Sequence, residues 1–127
     1  MAANENFEEW YSQSDYDLET VVDMFNSKRY IYAIFMCHLS IEKALKGLYI
    51  KTTKKFPLKT HNLLYFVTKL DLKMNQSDIE FVSFLNNVSI PTRYPESLKS
   101  LITTFTKDVT NEILTKTINL QLWIKQQ

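Results

Sequence analysis

The sequence contains one glycine, one cysteine and three prolines in 127 residues. So little glycine excludes a domain built on hairpins and bulges, whose turns depend on residues that tolerate positive φ. It also excludes the glycine-rich phosphate loops, since G-x-x-x-x-G-K-[ST] and G-x-G-x-x-G each need several glycines. A lone cysteine, Cys37, excludes an intramolecular disulfide, and with only two histidines the chain lacks a Cys/His zinc site. A set drawn from His38, His61 and carboxylates has no supporting spacing, so no metal and no cofactor are expected. The absence of disulfides points to a reducing compartment, hence to the cytoplasm. No apolar run approaches the ~18 residues of a membrane span. The N-terminal MAANENFEEW is acidic where a secretory signal is basic. No membrane partner is expected. A net charge of +1 argues against broad capture of nucleic acid, leaving a local basic patch open.

What the chain does have is apolar residues, 45% of the total, with 13% aromatic. That composition excludes disorder and supplies one core. The length fits a single domain over 1–127, which should bury roughly two-thirds of its unfolded surface without covalent staples.

Apolar residues recur every three or four positions. Phe7, Trp10, Tyr11, Leu18, Val21, Val22 and Phe25 predict a helix from about Asn6 to Ser27, with Glu8, Glu9, Asp17, Glu19 and Asp23 mostly on its solvated face. Ile34, Ile41, Leu45 and Leu48 predict a second from about 28 to 54, with Ala33, Cys37 and Ala44 allowing a neighbour to approach closely. Gly47 within it costs ~1 kcal/mol relative to alanine and marks either close packing or a tolerated helix end. Pro57 is expected to close this segment.

Thr60 is expected to cap a short helix carrying Leu63, Leu64, Val67 and Leu70. Ser77 and Glu80 form the pattern of a capping box for a fourth, with Phe81, Val82, Leu85 and Val88 inward and Pro91 as its end. A last helix from near Thr106 carries Val109, Ile113, Leu120 and Ile124. Residues 96–105 fit a helical turn or a loop. The expected fold is all-α, an up-and-down antiparallel bundle of four main helices plus one short one.

Three places carry polar residues that a plain bundle does not need. His38, Glu42 and Lys46 share one stripe at i, i+4 and i+8, with Lys43 beside it. Glu42 and Lys46 make either a surface ion pair worth ~0.3–0.5 kcal/mol or a buried, ligand-facing stripe. His61 stands at a helix N-terminus, where unpaired N–H groups favour anions, or it closes the bundle end through a neighbouring loop. Arg93 and Tyr94, bracketed by Pro91 and Pro95, are expected in a rigid loop showing a planar fork suited to phosphate or carboxylate, or to a salt bridge with Glu42. Adjacent helical residues point about 100° apart, so Cys37 and His38 do not read as a nucleophile pair, and Cys37 reads as a core residue.

These residues, in this order, resemble the HEPN domain (higher eukaryotes and prokaryotes nucleotide-binding). The matching pieces are Trp10 with Asp17-Leu18, then Tyr30, Ala33 and Phe35, then Glu42-Lys43-Ala44-Leu45-Lys46, Thr60-His61 and Arg93-Tyr94-Pro95. They span about residues 7–124. The resemblance implies a bundle of four or five helices, commonly a homodimer. It also implies pairing with a minimal nucleotidyltransferase in a two-component system, often of toxin–antitoxin type. Some relatives resemble the helical domain of kanamycin nucleotidyltransferase. Others are ribonucleases using an arginine and a histidine with four to six residues between them.

That motif is absent. After Arg93 the histidine window holds Leu98, Lys99 and Ser100, and after Arg29 it holds Ile34, Phe35 and Met36. His38 also stands where relatives often carry glutamine. The expected function is therefore a non-catalytic module that binds a nucleotide, a partner or both. Its ligand-binding residues are expected to be Glu42, Lys46, His61, Arg93 and Tyr94, with His38 and Lys43 behind them. The alternatives are a ribonuclease toxin with a departed motif and a purely structural dimeric bundle. A homodimer is also expected from the abundance of aromatics such as Tyr65, Phe66, Phe81 and Phe84.

Overall fold

The computed structural model describes residues 6–127, apart from the side chain of Arg93. Six helices follow in order: α1 (Phe7–Asn26), α2 (Tyr30–Thr53), α3 (Leu63–Lys69), α4 (Gln76–Arg93), α5 (Leu98–Thr104) and α6 (Lys107–Lys125). There is no strand among the described residues, and none of these helices is long and apolar enough to cross a membrane. The all-α expectation holds. The open stretch 96–105 resolves into the short helix α5, whose N-terminus is capped by the Ser97 hydroxyl accepting from Ser100 N–H.

α2 is the central element and packs against all five other helices, α1 most extensively. Its residues Ala33, Ile34, Ile41, Ala44 and Leu45 are fully buried, joined in the core by Phe66, Leu85 and Ile124 from later helices. α1 and α2 run antiparallel, since Ser14 meets Ser40 while Tyr11 meets Gly47. A Cβ at Gly47 would stand 2.7 Å from the Tyr11 ring and 3.2 Å from the Phe7 carbonyl oxygen. Close packing, rather than a tolerated helix end, is why glycine sits there.

A polar seam runs through this interface. The Ser14 hydroxyl donates to the Ser40 carbonyl at 2.7 Å, and the Gln121 amide of α6 donates to Ser14 at 3.2 Å and to Asp15 at 2.6 Å. Lys125 adds an ion pair with Asp15 at 2.9 Å. Each buried polar atom in the seam thereby has a partner, which offsets the cost of removing it from water.

Several local expectations are corrected. Asp17 is buried, not solvated: it lies two helical turns from Trp10 and beside Ser14 on the inward stripe of α1. α3 is capped by Asn62, which accepts from Leu64 N–H, while Thr60 accepts two residues earlier from Asn62 N–H. α4 starts from Asn75 accepting from Asp78 N–H, so Ser77 and Glu80 lie inside the helix and form no capping box. Asparagine at the N-cap serves as well as serine, so Asn75 takes the role expected of Ser77.

Pro91 does not end α4, which continues to Arg93. Pro91 is exposed, and the Thr92 hydroxyl bonds the Val88 carbonyl at 2.6 Å while Tyr94 N–H reaches the Ile90 carbonyl at 2.8 Å. Those bonds carry the helix past the missing proline donor. In α6 the inward residue is Thr110, and Val109 is 40% exposed. Of the aromatics expected to spill onto the surface, Phe66 is fully buried and Phe81 is 9% exposed, because both fill the core between α2, α3 and α4.

Among the described residues, Lys28, Lys54 and Asp71 have positive φ. At Lys28 the helix end is a Schellman motif, with Arg29 N–H on the Met24 carbonyl and Lys28 N–H on the Phe25 carbonyl. Asp71 closes α3 in the same way, with Leu72 N–H on Val67 and Asp71 N–H on Thr68. Non-glycine residues fill these left-handed positions at some cost in strain.

Candidate functional site

One turn of α2 presents Glu42, Lys43 and Lys46 toward α1 and toward the segment that enters α3. Glu42 and Lys46 are both buried, and Glu42 Oε2 holds Lys46 Nζ at 3.0 Å. The pair is therefore an ion pair and a buried stripe at once. Lys46 Nζ also stands 5.7 Å from the centre of the Trp10 ring, whose face favours a cation. With the carboxylate on one side and the indole on the other, Lys46 serves to balance Glu42.

The second oxygen of that carboxylate faces the α3 segment. Glu42 Oε1 lies 2.8 Å from Nδ1 of His61. A carboxylate only accepts, so Nδ1 carries the proton. The His61 carbonyl meanwhile accepts from Nε2 of the fully buried His38 at 3.0 Å, which assigns the tautomer of His38 as well. His61 is thus fixed at both its backbone and its ring, yet its side chain is 64% exposed. With Nδ1 engaged, Nε2 is the ring nitrogen offered outward.

Asparagines stiffen the same segment. Asn86 of α4 accepts from Leu63 N–H at 2.8 Å and donates to the Asn62 side chain at 2.7 Å. The start of α3 is therefore pinned to α2 by His38 and Glu42 and to α4 by Asn86. Such double support holds an exposed group in one orientation, the condition for a precise contact.

Beside this lies a second ion pair, Lys43 with Asp17 at 3.1 Å. Burial pushes the Asp17 carboxyl above its ordinary value, the Lys43 ammonium pulls it back, and the nearby Glu42 charge adds to the rise. Trp10, Asp17, Glu42, Lys43, Lys46 and His61 thus form one connected charged layer between α1, α2 and α3. Cys37 takes no part: it is buried in the core, where loss of water pushes its thiol up to about 12. A thiol that stays protonated is neither nucleophile nor metal ligand.

Of the expected site residues, Glu42, Lys46 and His61 meet directly, and His38 and Lys43 stand behind them. Tyr94 does not join them. It is 71% exposed and lines a separate groove with Ile90, Pro91 and Leu101. Arg93 is the last residue of α4, not a loop residue, and the expected contact of its side chain lies outside the described residues. Trp10, Asp17 and Asn86 were not expected in the site. The signal for Asp17 was its spacing from Ser14 and Val21, three and four residues on the inward stripe. Asn86 gave no signal, because its role depends on where α3 lies.

The charged layer rests on Trp10, Asp17, the Glu42–Lys46 run and His61, and the HEPN domain profile matches residues 7–127, which include all of them. Among solved structures, TT1696 from Thermus thermophilus superimposes with a TM-score of 0.81 at 22% identity, covering 94% of this chain and 96% of that one. ST0689, an archaeal HEPN homologue, gives a TM-score of 0.73 at 25% identity, covering 96% and 97%. No curated protein matches. With the profile extending over nearly the whole chain and both structures sharing its fold end to end, this protein belongs to the HEPN domain family.

Proposed function

We propose that the chain is a HEPN module that binds an anionic group, the phosphates of a nucleotide or an acidic surface of a partner, through Nε2–H of a doubly protonated His61 whose Nδ1–H is held by Glu42. The observation that carries this reading is the exposed His61 ring held on a buried carboxylate. The Glu42–Lys46 pair sets the ring in place rather than touching the ligand. Arg93 would supply a planar fork, with His38 and Lys43 supporting from behind. In this reading the partner is a minimal nucleotidyltransferase, the pair works as a toxin–antitoxin-type system in the cytoplasm, and the chain is a homodimer.

Calorimetric titration with nucleoside mono-, di- and triphosphates and with the partner, alongside thermal melts, tests it. His61→Ala and Arg93→Ala should each weaken binding by roughly 1.5–3 kcal/mol, the range for a hydrogen bond to a charged group. Melts of both variants should stay near that of the parent. Unchanged binding with a clearly lower melt sinks the reading. Light scattering that gives a 15 kDa monomer at tens of micromolar removes the homodimer.

One observation favours a second reading, a ribonuclease with a departed motif. An imidazole oriented by a buried carboxylate is the usual arrangement for moving a proton. Cleavage of single-stranded RNA by the pure protein, lost in His61→Ala, would support that reading over the first.

A further inference from the structure

A second surface, remote from His61, has a distinct chemistry. Where the first turn of α2 meets α5, a cleft of about 580 Å³ opens, with Ile31, Tyr32, Leu98, Ile102 and Phe105 among its lining. Tyr32 lies 10 residues along α2 from Glu42, which holds the His61 ring, about 15 Å of helix at 1.5 Å per residue. Phe105 and Ile31 form a buried floor, while Tyr32, Leu98 and Ile102 are 54%, 57% and 58% exposed. α5 buries none of its residues, and the Leu98–Ile102 pair, one helical turn apart, is left more than half exposed.

The rim of this cleft carries one sign. Among the described residues its charged lining is Lys28 and Arg29 alone, and no acidic residue stands in the first turn of α2. Lys28 is fixed in its left-handed conformation by the Schellman motif, so the two cations are set at the cleft by backbone hydrogen bonds. An apolar trough with a purely cationic rim is complementary to an apolar helix flanked by carboxylates.

Other occupants fit less well. A small molecule is normally 70–90% covered by its site, whereas three of these walls are more than half exposed. A two-fold contact centred on the cleft would set Lys28 and Arg29 against their own copies, like charge on like.

We infer that the cleft between the α2 N-terminus and α5 is a docking groove for an amphipathic helix of another protein, with apolar residues one turn apart and Asp or Glu flanking them. Its apolar residues cover Leu98 and Ile102, and its carboxylates pair with Lys28 and Arg29. This groove is independent of the anion site at His61.

The probes are two labelled synthetic amphipathic helices that share one apolar face and carry either glutamates or lysines beside it. In fluorescence anisotropy the glutamate peptide should saturate and the lysine peptide should bind at least about tenfold more weakly. Ile102→Glu should weaken the glutamate peptide by a similar factor. The paired change Lys28→Glu and Arg29→Glu should reverse the order of the two peptides. These positions are exposed, and acidic residues at a helix N-terminus are tolerated, so the fold should persist. Amide shifts on adding the glutamate peptide should fall on residues 28–32 and 98–106. Nucleotide titration of the groove variants should match the parent, so failure of this inference is read separately from failure of the His61 reading. Equal binding of both peptides, binding of neither, or an unchanged order after the charge swap overturns the inference. Self-association that disappears in Ile102→Glu overturns it in favour of a second copy as the occupant.

Discussion

His61 reaches back to Glu42, its Nδ1 2.8 Å from a buried carboxylate whose other oxygen holds Lys46 at 3.0 Å. One carboxylate therefore serves two partners of unlike exposure: an ammonium sealed under Trp10 and an imidazole open to water. The open partner can be removed at little cost to the core. The sealed one cannot, because either half left alone would be a buried charge without compensation.

That difference gives the first prediction. Glu42→Ala should destabilise the protein by about 3–5 kcal/mol, the cost of stranding a buried charge. Glu42→Ala with Lys46→Met should cost less than the sum of the two single changes, with a coupling of at least about 1 kcal/mol. Urea unfolding of the four proteins measures it. Additivity within about 0.5 kcal/mol would show that water already screens the pair.

Asp17 gives a pH dependence with a definite sign. Its carboxyl is raised in the folded protein, mainly by burial, so the fold holds this proton more tightly than the unfolded chain does. The stability this contributes is complete below the ordinary carboxyl value and is lost as pH rises through the folded one. Asp17→Asn does not ionise. The melting temperature of Asp17→Asn minus that of the parent should therefore increase from about pH 3 to pH 7. A difference that shrinks over that range would mean the Lys43 pairing outweighs burial.

Gly47→Ala separates packing from helix propensity. In an open helix position alanine would stabilise by ~1 kcal/mol. Here the new methyl meets the Tyr11 ring at 2.7 Å. Overpacking costs typically about 1–3 kcal/mol, so the net change should be destabilising by up to ~2 kcal/mol. A higher melting temperature would show that the Tyr11 ring swings aside freely.

Lys28→Gly should act in the opposite direction. Lys28 sits at φ 64° in a Schellman motif that glycine fills without steric cost. Relief of a left-handed penalty of about 1–2 kcal/mol, less the added freedom of the unfolded chain at about 0.4–1 kcal/mol, leaves a gain near ~0.5–1 kcal/mol. Lys28→Ala, which keeps the Cβ, should show no such gain in thermal melts.

The long helices could be read from the chain because apolar spacing is a local property. Ile34, Ile41, Leu45 and Leu48 mark the face of α2 wherever its neighbours lie, and all four are buried. The Glu42–Lys46 pair was legible for the same reason, as a spacing of four on one helix. Helix ends were less so. Asn62 and Asn75 cap as well as serine or threonine, and Thr60 and Ser77 stood nearby as equal candidates. Pro91 misled because a C-terminal turn can run past an exposed proline when Thr92 bonds the preceding turn.

By itself the sequence determined the helical class and the pairing of Glu42 with Lys46 on one face of α2, while His61 joined them only through the family resemblance. Those follow from periodicity, composition and the order of residues, each expressed along a short stretch of chain. Only the tertiary structure decided which polar residues are inside. Ser14 is buried because Ser40 and Gln121, 26 and 107 residues away, complete its hydrogen bonds. Asp17 is buried because Lys43 meets it, and His61 is aimed because Glu42, His38 and Asn86 converge on its segment from two other helices. The cost of burying a polar group depends on partners supplied from elsewhere, so its position is settled by the assembled fold and not by the spacing around it.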